Sequence, residues 1–239
     1  METNERIKTC TFSKGEISEN RNLASGIYKI TIDTAECYFS CPGQIVIIEF
    51  NGERKAFPVS EYDGKRFSIA INTEEEGFAK ELSKAEMGTE VAVCTGLGNG
   101  FDVDAIPEGA TIVADTKGIS QMLSLTRELL MRGKNCKLVL GYPNKESIFM
   151  VDSFKNLCND IEVLTEDGSN GREGRVEDGI REAEYVCAGG SVEMLQKLAK
   201  KTEDGQFNMI CSVNSEEDVF SICKNGPVFE KDNINWNML

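Results

Sequence analysis

Histidine is absent from this chain of 239 residues. That absence removes a Ser-His-Asp triad, a Cys-His pair, a histidine zinc site and a histidine general base. A CxxC pair is missing too, although nine cysteines stand at 10, 37, 41, 94, 136, 158, 187, 211 and 223. An odd number so scattered argues for reduced thiols and against a disulfide framework. Several lie in apolar strand patterns (Val93-Cys94, Val186-Cys187, Ile210-Cys211), where cysteine acts as a small hydrophobe. No apolar run approaches the roughly 18–20 residues that span a bilayer. The first residues, Met1 to Arg6, are polar and mixed in charge, unlike a secretory signal. The expected location is cytoplasmic, with no membrane partner. Basic residues are also scarce, 26 against 40 acidic ones, for a net charge of −14. Such a surface repels phosphates, so nucleic acid is not an expected partner.

What is present suits a folded globular chain. Apolar residues make up 40% and charged residues 28%, and the length allows one large domain or two small ones. The first hundred residues read as β-rich. Residues 26–33 alternate apolar and polar side chains, and 44–50, 66–71 and 89–94 are further short strands. Phe78, Leu82 and Ala85 recur at helical spacing over 77–87. Short strands separated by turns predict a small antiparallel barrel or sandwich. The pattern changes near Pro107. Strands at 110–114, 137–140, 161–164 and 184–187 alternate with helices at 119–130, 147–157 and 191–200. Such alternation predicts a parallel sheet with right-handed crossovers, whose ligands sit past the carboxyl ends of the strands. The expected organisation is a barrel over 1–106, an α/β domain over 107–205 and a short Cys-containing tail over 206–239. Apart from Phe207 to Cys211 the tail reads as irregular.

Several ordered stretches carry a resemblance. They are Pro42-Gly-Gln44, Phe57-Pro-Val-Ser60, Gly96-Leu-Gly-Asn-Gly-Phe101, Thr165 to Gly171 continuing through Gly174 and Val176, Val186-Cys-Ala-Gly-Gly190, and Cys223-Lys-Asn-Gly-Pro-Val-Phe229. Together they resemble the ferredoxin-reductase-like superfamily, and within it the electron-transfer subunits of type B dihydroorotate dehydrogenase. The resemblance implies an FAD-binding β-barrel of the flavin-reductase type, a nucleotide-binding-like α/β domain taking NAD(P)H, and a C-terminal 2Fe-2S cluster. Electrons would pass to a protein partner, a flavoprotein dehydrogenase subunit. The cofactor-binding positions it implies in the first half are Pro58, Val59, Ser60, Gly77, Gly98, Asn99 and Gly100. In the second half they are Gly118, Asp167, Gly168, Ser169, Cys187 and Gly189. No catalytic residue is assigned.

The same resemblance exposes departures. Its Arg-Pro-x-Ser pattern puts an arginine against a flavin phosphate, yet Phe57 stands there. Phenylalanine cannot make that charge-assisted contact, although Arg54, Lys55 or Arg66 could reach in. A Gly-Thr pair that should open a helix reads Gly77-Phe78. The glycine-rich turn after the first strand of the α/β domain has become residues 114–120 with the single glycine Gly118, and Asp115 adds a negative charge unless Lys117 offsets it. The loop 167–174 is better kept, as a ribose site or simply as a Gly/Asn/Ser turn. A cluster of this class needs four thiolates, and the tail offers only Cys211 and Cys223, so they are read as remnants without a cluster. Two functions follow: a reductase subunit, or a non-catalytic paralogue kept for binding a partner chain.

Overall fold

The computed structural model of the protein describes residues 11–74, 77–180, 185–203, 208–213, 226–234 and 236. These fall into two compact units, one of residues 11–100 with 226–227, the other of 101–213 with 228–236.

The first unit is a closed antiparallel barrel. Its strands are β1 (Ser13–Ala24), β2 (Ile27–Thr34), β3 (Ile45–Phe50), β4 (Glu53–Tyr62), β5 (Arg66–Asn72) and β6 (Glu90–Leu97), arranged β1-β2-β5-β4-β3-β6. Inward positions alternate along each strand and meet in one apolar core of Ile17, Ile30, Ile32, Ile48, Phe67 and Ile69, all essentially without solvent contact. The short helix α1 (Phe78–Leu82) adds Phe78 and Leu82 to that core. It covers less than the span 77–87 that the spacing predicts, because Ser83 caps it and the chain turns at Gly88, where φ is +87°. Strand β1 has no apolar signature of its own. Of its twelve residues only Gly15 and Ile17 are buried, and it is a strand because it pairs with both β2 and β6 to close the barrel. Strand β4 holds Pro58 opposite Ile45 and breaks register with β5 between Val59 and Glu61, a bulge that puts Ser60 out of the ladder.

The second unit is built on a seven-stranded sheet. In chain order its elements are β7 (Ala110–Ala114), α2 (Ile119–Met131), β8 (Cys136–Tyr142), α3 (Val151–Lys155), β9 (Ile161–Thr165), β10 (Arg172–Glu173), β11 (Tyr185–Gly190), α4 (Val192–Glu203), β12 (Asn208–Val213) and β13 (Val228–Glu230). The sheet order is β10-β9-β8-β7-β11-β12-β13, parallel throughout except where β13 runs against β12. Strand β7 is buried on both faces, as its unbroken apolar run requires. The helix expected over 147–157 is shortened to Val151–Lys155. Asn144 closes a separate 3-10 turn by accepting from the Ser147 N–H, and Met150 at φ +59° interrupts the chain before α3. The tail is more regular than its polarity implies, since β13 completes the sheet and Phe229 and Trp236 pack on the core under α4.

Among the described cysteines, Cys37, Cys41, Cys136, Cys158 and Cys187 stand outside any disulfide. Cys94 is disulfide-bonded, which corrects the reading of reduced thiols for that residue. Among the described residues no helix is long and apolar enough to cross a membrane.

Candidate functional site

In the barrel unit, Gln44 organises a turn platform. Its Oε1 accepts the Ser40 N–H at 2.8 Å, and its Nε2 donates to the Gly98 and Gly96 carbonyls at 3.0 and 3.3 Å. Gly96, Gly98 and Gly100 all take positive φ here. A Cβ on Gly98 would overlap the Gly226 carbonyl and the Pro227 ring, and one on Gly100 would overlap Cys41 Sγ. The Asn99 N–H donates to the Gly226 carbonyl at 2.9 Å. Gly98 and Asn99 are thus packed closely on Gly226 and Pro227, and Gly100 on Cys41 and Pro42. The glycines are required because nothing larger fits.

Pro58, Val59 and Ser60 lie on β4 with a different partnership. Val59 is a core residue, and Ser60, fully buried, donates its hydroxyl to the Ser68 carbonyl at 2.9 Å. That bond gives the buried hydroxyl an acceptor beside the bulge. Phe57 and Phe78 are both buried, with ring centroids 5.7 Å apart, and Phe50 meets Phe78 edge-on at 6.3 Å. Gly77 precedes Phe78 in open space at φ +114°. Two of the three cations expected to reach in, Arg54 and Arg66, are committed elsewhere. Arg54 pairs with Glu49 at 2.5 Å and lies over the Phe12 ring. Arg66 makes a two-pronged contact with Asp33 at 2.5 and 2.8 Å. At the positions where the resemblance puts phosphate contacts, Phe57 and Phe78 form an aromatic cluster and supply no charge.

In the sheet unit the polar residues gather at the carboxyl ends of β7, β8, β9 and β11. A pocket of about 130 Å³ is lined there by Asp115, Gly141, Tyr142, Glu166, Arg175, Glu177, Ser191, Glu193 and Lys197. Gly118 opens α2 and Gly189 lies near the end of β11; a Cβ on Gly118 would overlap the Gly189 carbonyl, so the two strands' loops touch backbone to backbone. Arg175 spans Glu193 and Glu166 at 3.1 and 3.6 Å, and Lys197 spans Glu193 and Glu177 at 2.6 and 3.5 Å. The Lys197 contact holds the Glu193 carboxyl below its usual range, and Glu193 in turn raises Lys197. Of these residues only Asp115 stands out in the sequence. Glu193 and Lys197 carry a legible i,i+4 spacing, while Glu166, Arg175 and Glu177 carry no pattern at all.

The loop after β9 is tied to itself. Asp167 accepts from the hydroxyl and N–H of Ser169 at 2.6 and 3.0 Å, which keeps its carboxyl below the ordinary range. Ser169 Oγ also accepts the Lys145 N–H at 2.8 Å. Gly168 adopts φ +70°, the conformation such a turn needs. Cys187 is wholly buried in mid-strand β11, beside Ile112 of β7, and burial pushes its thiol far up. Cys211 sits on β12 opposite Phe229, and Cys223 lies outside the described residues. Among the described residues no group of His, Cys, Asp and Glu is arranged to hold a metal ion.

No family model matches the chain. It is similar along its length to curated proteins named "Dihydroorotate dehydrogenase B (NAD(+)), electron transfer subunit". That of Fusobacterium nucleatum is 28% identical, covering 94% of this chain and 96% of its own. That of Clostridium acetobutylicum is 28% identical over 90% and 93%. Among solved structures, one describing flavin-based electron bifurcation by NADH-dependent reduced ferredoxin-NADP oxidoreductase superposes with a TM-score of 0.83. It is 22% identical and covers 94% of this chain and 91% of that one. Phthalate dioxygenase reductase, described as a modular structure for electron transfer from pyridine nucleotides to a 2Fe-2S centre, superposes at 0.69 with 18% identity over 86% and 70%. The barrel followed by the parallel sheet is the ferredoxin-reductase-like fold.

Proposed function

We propose that this chain, a divergent relative of the dihydroorotate dehydrogenase B electron transfer subunits, is an electron-transfer subunit that serves a separate dehydrogenase chain. One observation carries the reading: the likeness runs in order through both units, at nearly full length on both sides. On this reading the substrate chemistry belongs to the partner, the location is cytoplasmic, and FAD and NAD(P)H are the cofactors to look for. A 2Fe-2S centre is not expected, because the tail offers two cysteines to a cluster that takes four thiolates.

Anaerobic purification of the chain from its native host, with flavin and iron assays, tests the proposal. A dehydrogenase chain is expected to co-purify. A solitary chain under mild conditions, colourless and unable to take up added FAD, overturns it. Two irons per chain would overturn the expectation about the cluster. A second reading, a non-catalytic paralogue that only binds the partner, is favoured by the Phe57–Phe78 pair in the place of phosphate contacts. Its signature is the same co-purification with a chain that carries no flavin.

A further inference from the structure

In a parallel sheet the carboxyl ends of the strands face the N-termini of the helices that follow, and those N-termini attract anions. In the sheet unit the turn between β7 and α2 and the start of α4 form such a place. An anion already stands in it, the carboxylate of Asp115. Oδ1 accepts the Lys117 N–H at 3.0 Å, and Oδ2 accepts the Ser191 N–H at 2.9 Å. Ser191 opens α4, its own hydroxyl accepting the Met194 N–H at 3.3 Å and its carbonyl the Leu195 N–H at 3.0 Å. The Asp115 carbonyl accepts from Gly118 and Ile119 at 2.9 and 3.0 Å, at the first turn of α2. One residue therefore ties the starts of both helices.

The surroundings leave no place for a second anion beside it. A Cβ on Gly190 would overlap Asp115 Oδ1, so the carboxylate lies directly against the end of β11. The adjoining pocket, about 130 Å³, is below the roughly 300 Å³ at which small-molecule sites begin. Its two cations, Arg175 and Lys197, are each held between two carboxylates.

The geometry points to Asp115 as an internal anion that holds the phosphate position of the sheet unit, so that a dinucleotide's pyrophosphate and the Asp115 carboxylate compete for the same Lys117 and Ser191 N–H groups. The inference rests on reading this unit as a pyridine-nucleotide domain. Binding then requires the carboxylate to swing out, and the unmodified chain holds the nucleotide weakly.

The test is an NADH fluorescence titration of the full chain as wild type, Asp115→Asn and Asp115→Gly, with circular dichroism to verify folding. Asp115→Asn nearly keeps the shape and removes the charge, so it serves even where the glycine variant fails to fold. Both variants are expected to bind NADH roughly tenfold or more tightly than wild type, the scale of a removed like-charge contact. Inorganic pyrophosphate is expected to displace NADH from them. Folded variants whose affinity lies within about twofold of wild type, or which bind no NADH at all, overturn the inference. The subunit reading is judged separately by co-purification, so the two can fail independently.

Discussion

Phe57 is where the chain departs most from a phosphate-binding barrel. It is 6% exposed and packs on Phe78 inside the barrel core, so it behaves as a stability residue. Phe57→Ala should cost about 3 kcal/mol, the usual scale for emptying a buried phenyl site. Urea unfolding measures it, and a loss under about 1 kcal/mol would mean that Phe57 faces an open cleft. The thiols divide on the same physical ground. Burial pushes Cys37 and Cys136 up to about 12, and Cys187 higher still, whereas Cys41 and Cys158 are partly exposed. Since the thiolate is the nucleophile, iodoacetamide near pH 8 should label Cys41 and Cys158 first and leave Cys187 unmodified until the chain unfolds. Peptide mass spectrometry reads the order, and early labelling of Cys187 would contradict its place in β11. Individual residues were only half legible. Gln44 is visible in a Pro-Gly-Gln turn, but its grip on Gly96 and Gly98 joins positions more than fifty residues apart.

Strands and helices with a strong apolar period were readable, and those held by pairing were not. Strands β2, β3, β5 and β7 lie within a residue or so of their apolar runs. Strand β1 was missed because closure of the barrel decides it, and β13 because three residues are too few to show a period. Pairing also creates an acid-sensitive contact between β2 and β5, where Asp33 and Arg66 are direct cross-strand partners. The Arg66 guanidinium, helped by the Ser18 hydroxyl, holds Asp33 below its ordinary value of 3.8. A depressed carboxyl stabilises the fold above the unfolded value and loses that contribution as pH falls through the folded one. Asp33→Asn should therefore lower the urea midpoint near pH 6, with the difference from wild type vanishing toward about pH 2. A difference independent of pH would assign the effect to shape and not to charge.

Neither unit is a continuous piece of chain. The barrel unit takes in Gly226 and Pro227, and the sheet unit takes in β13. A chain truncated after residue 225 should lose the Gly226 carbonyl that accepts the Asn99 N–H. It should also lose the strand that pairs with β12. Hydrogen exchange followed by mass spectrometry should then show faster exchange at 96–100 and along β12. Unchanged protection in both places would show that the last residues are dispensable.

Composition and periodicity by themselves determined the order of a β-rich half and an alternating strand–helix half, since side-chain period and burial are local consequences of the backbone. They also excluded histidine chemistry outright. The motif glycines were visible in the same way, but their meaning was not. Only the tertiary structure decided that Gly98 and Gly100 serve close backbone packing, that Phe57 and Phe78 share one core, and that Asp115 reaches Ser191. Each of those depends on which distant segments the fold brings within a few ångströms, and spacing along a chain carries no record of that.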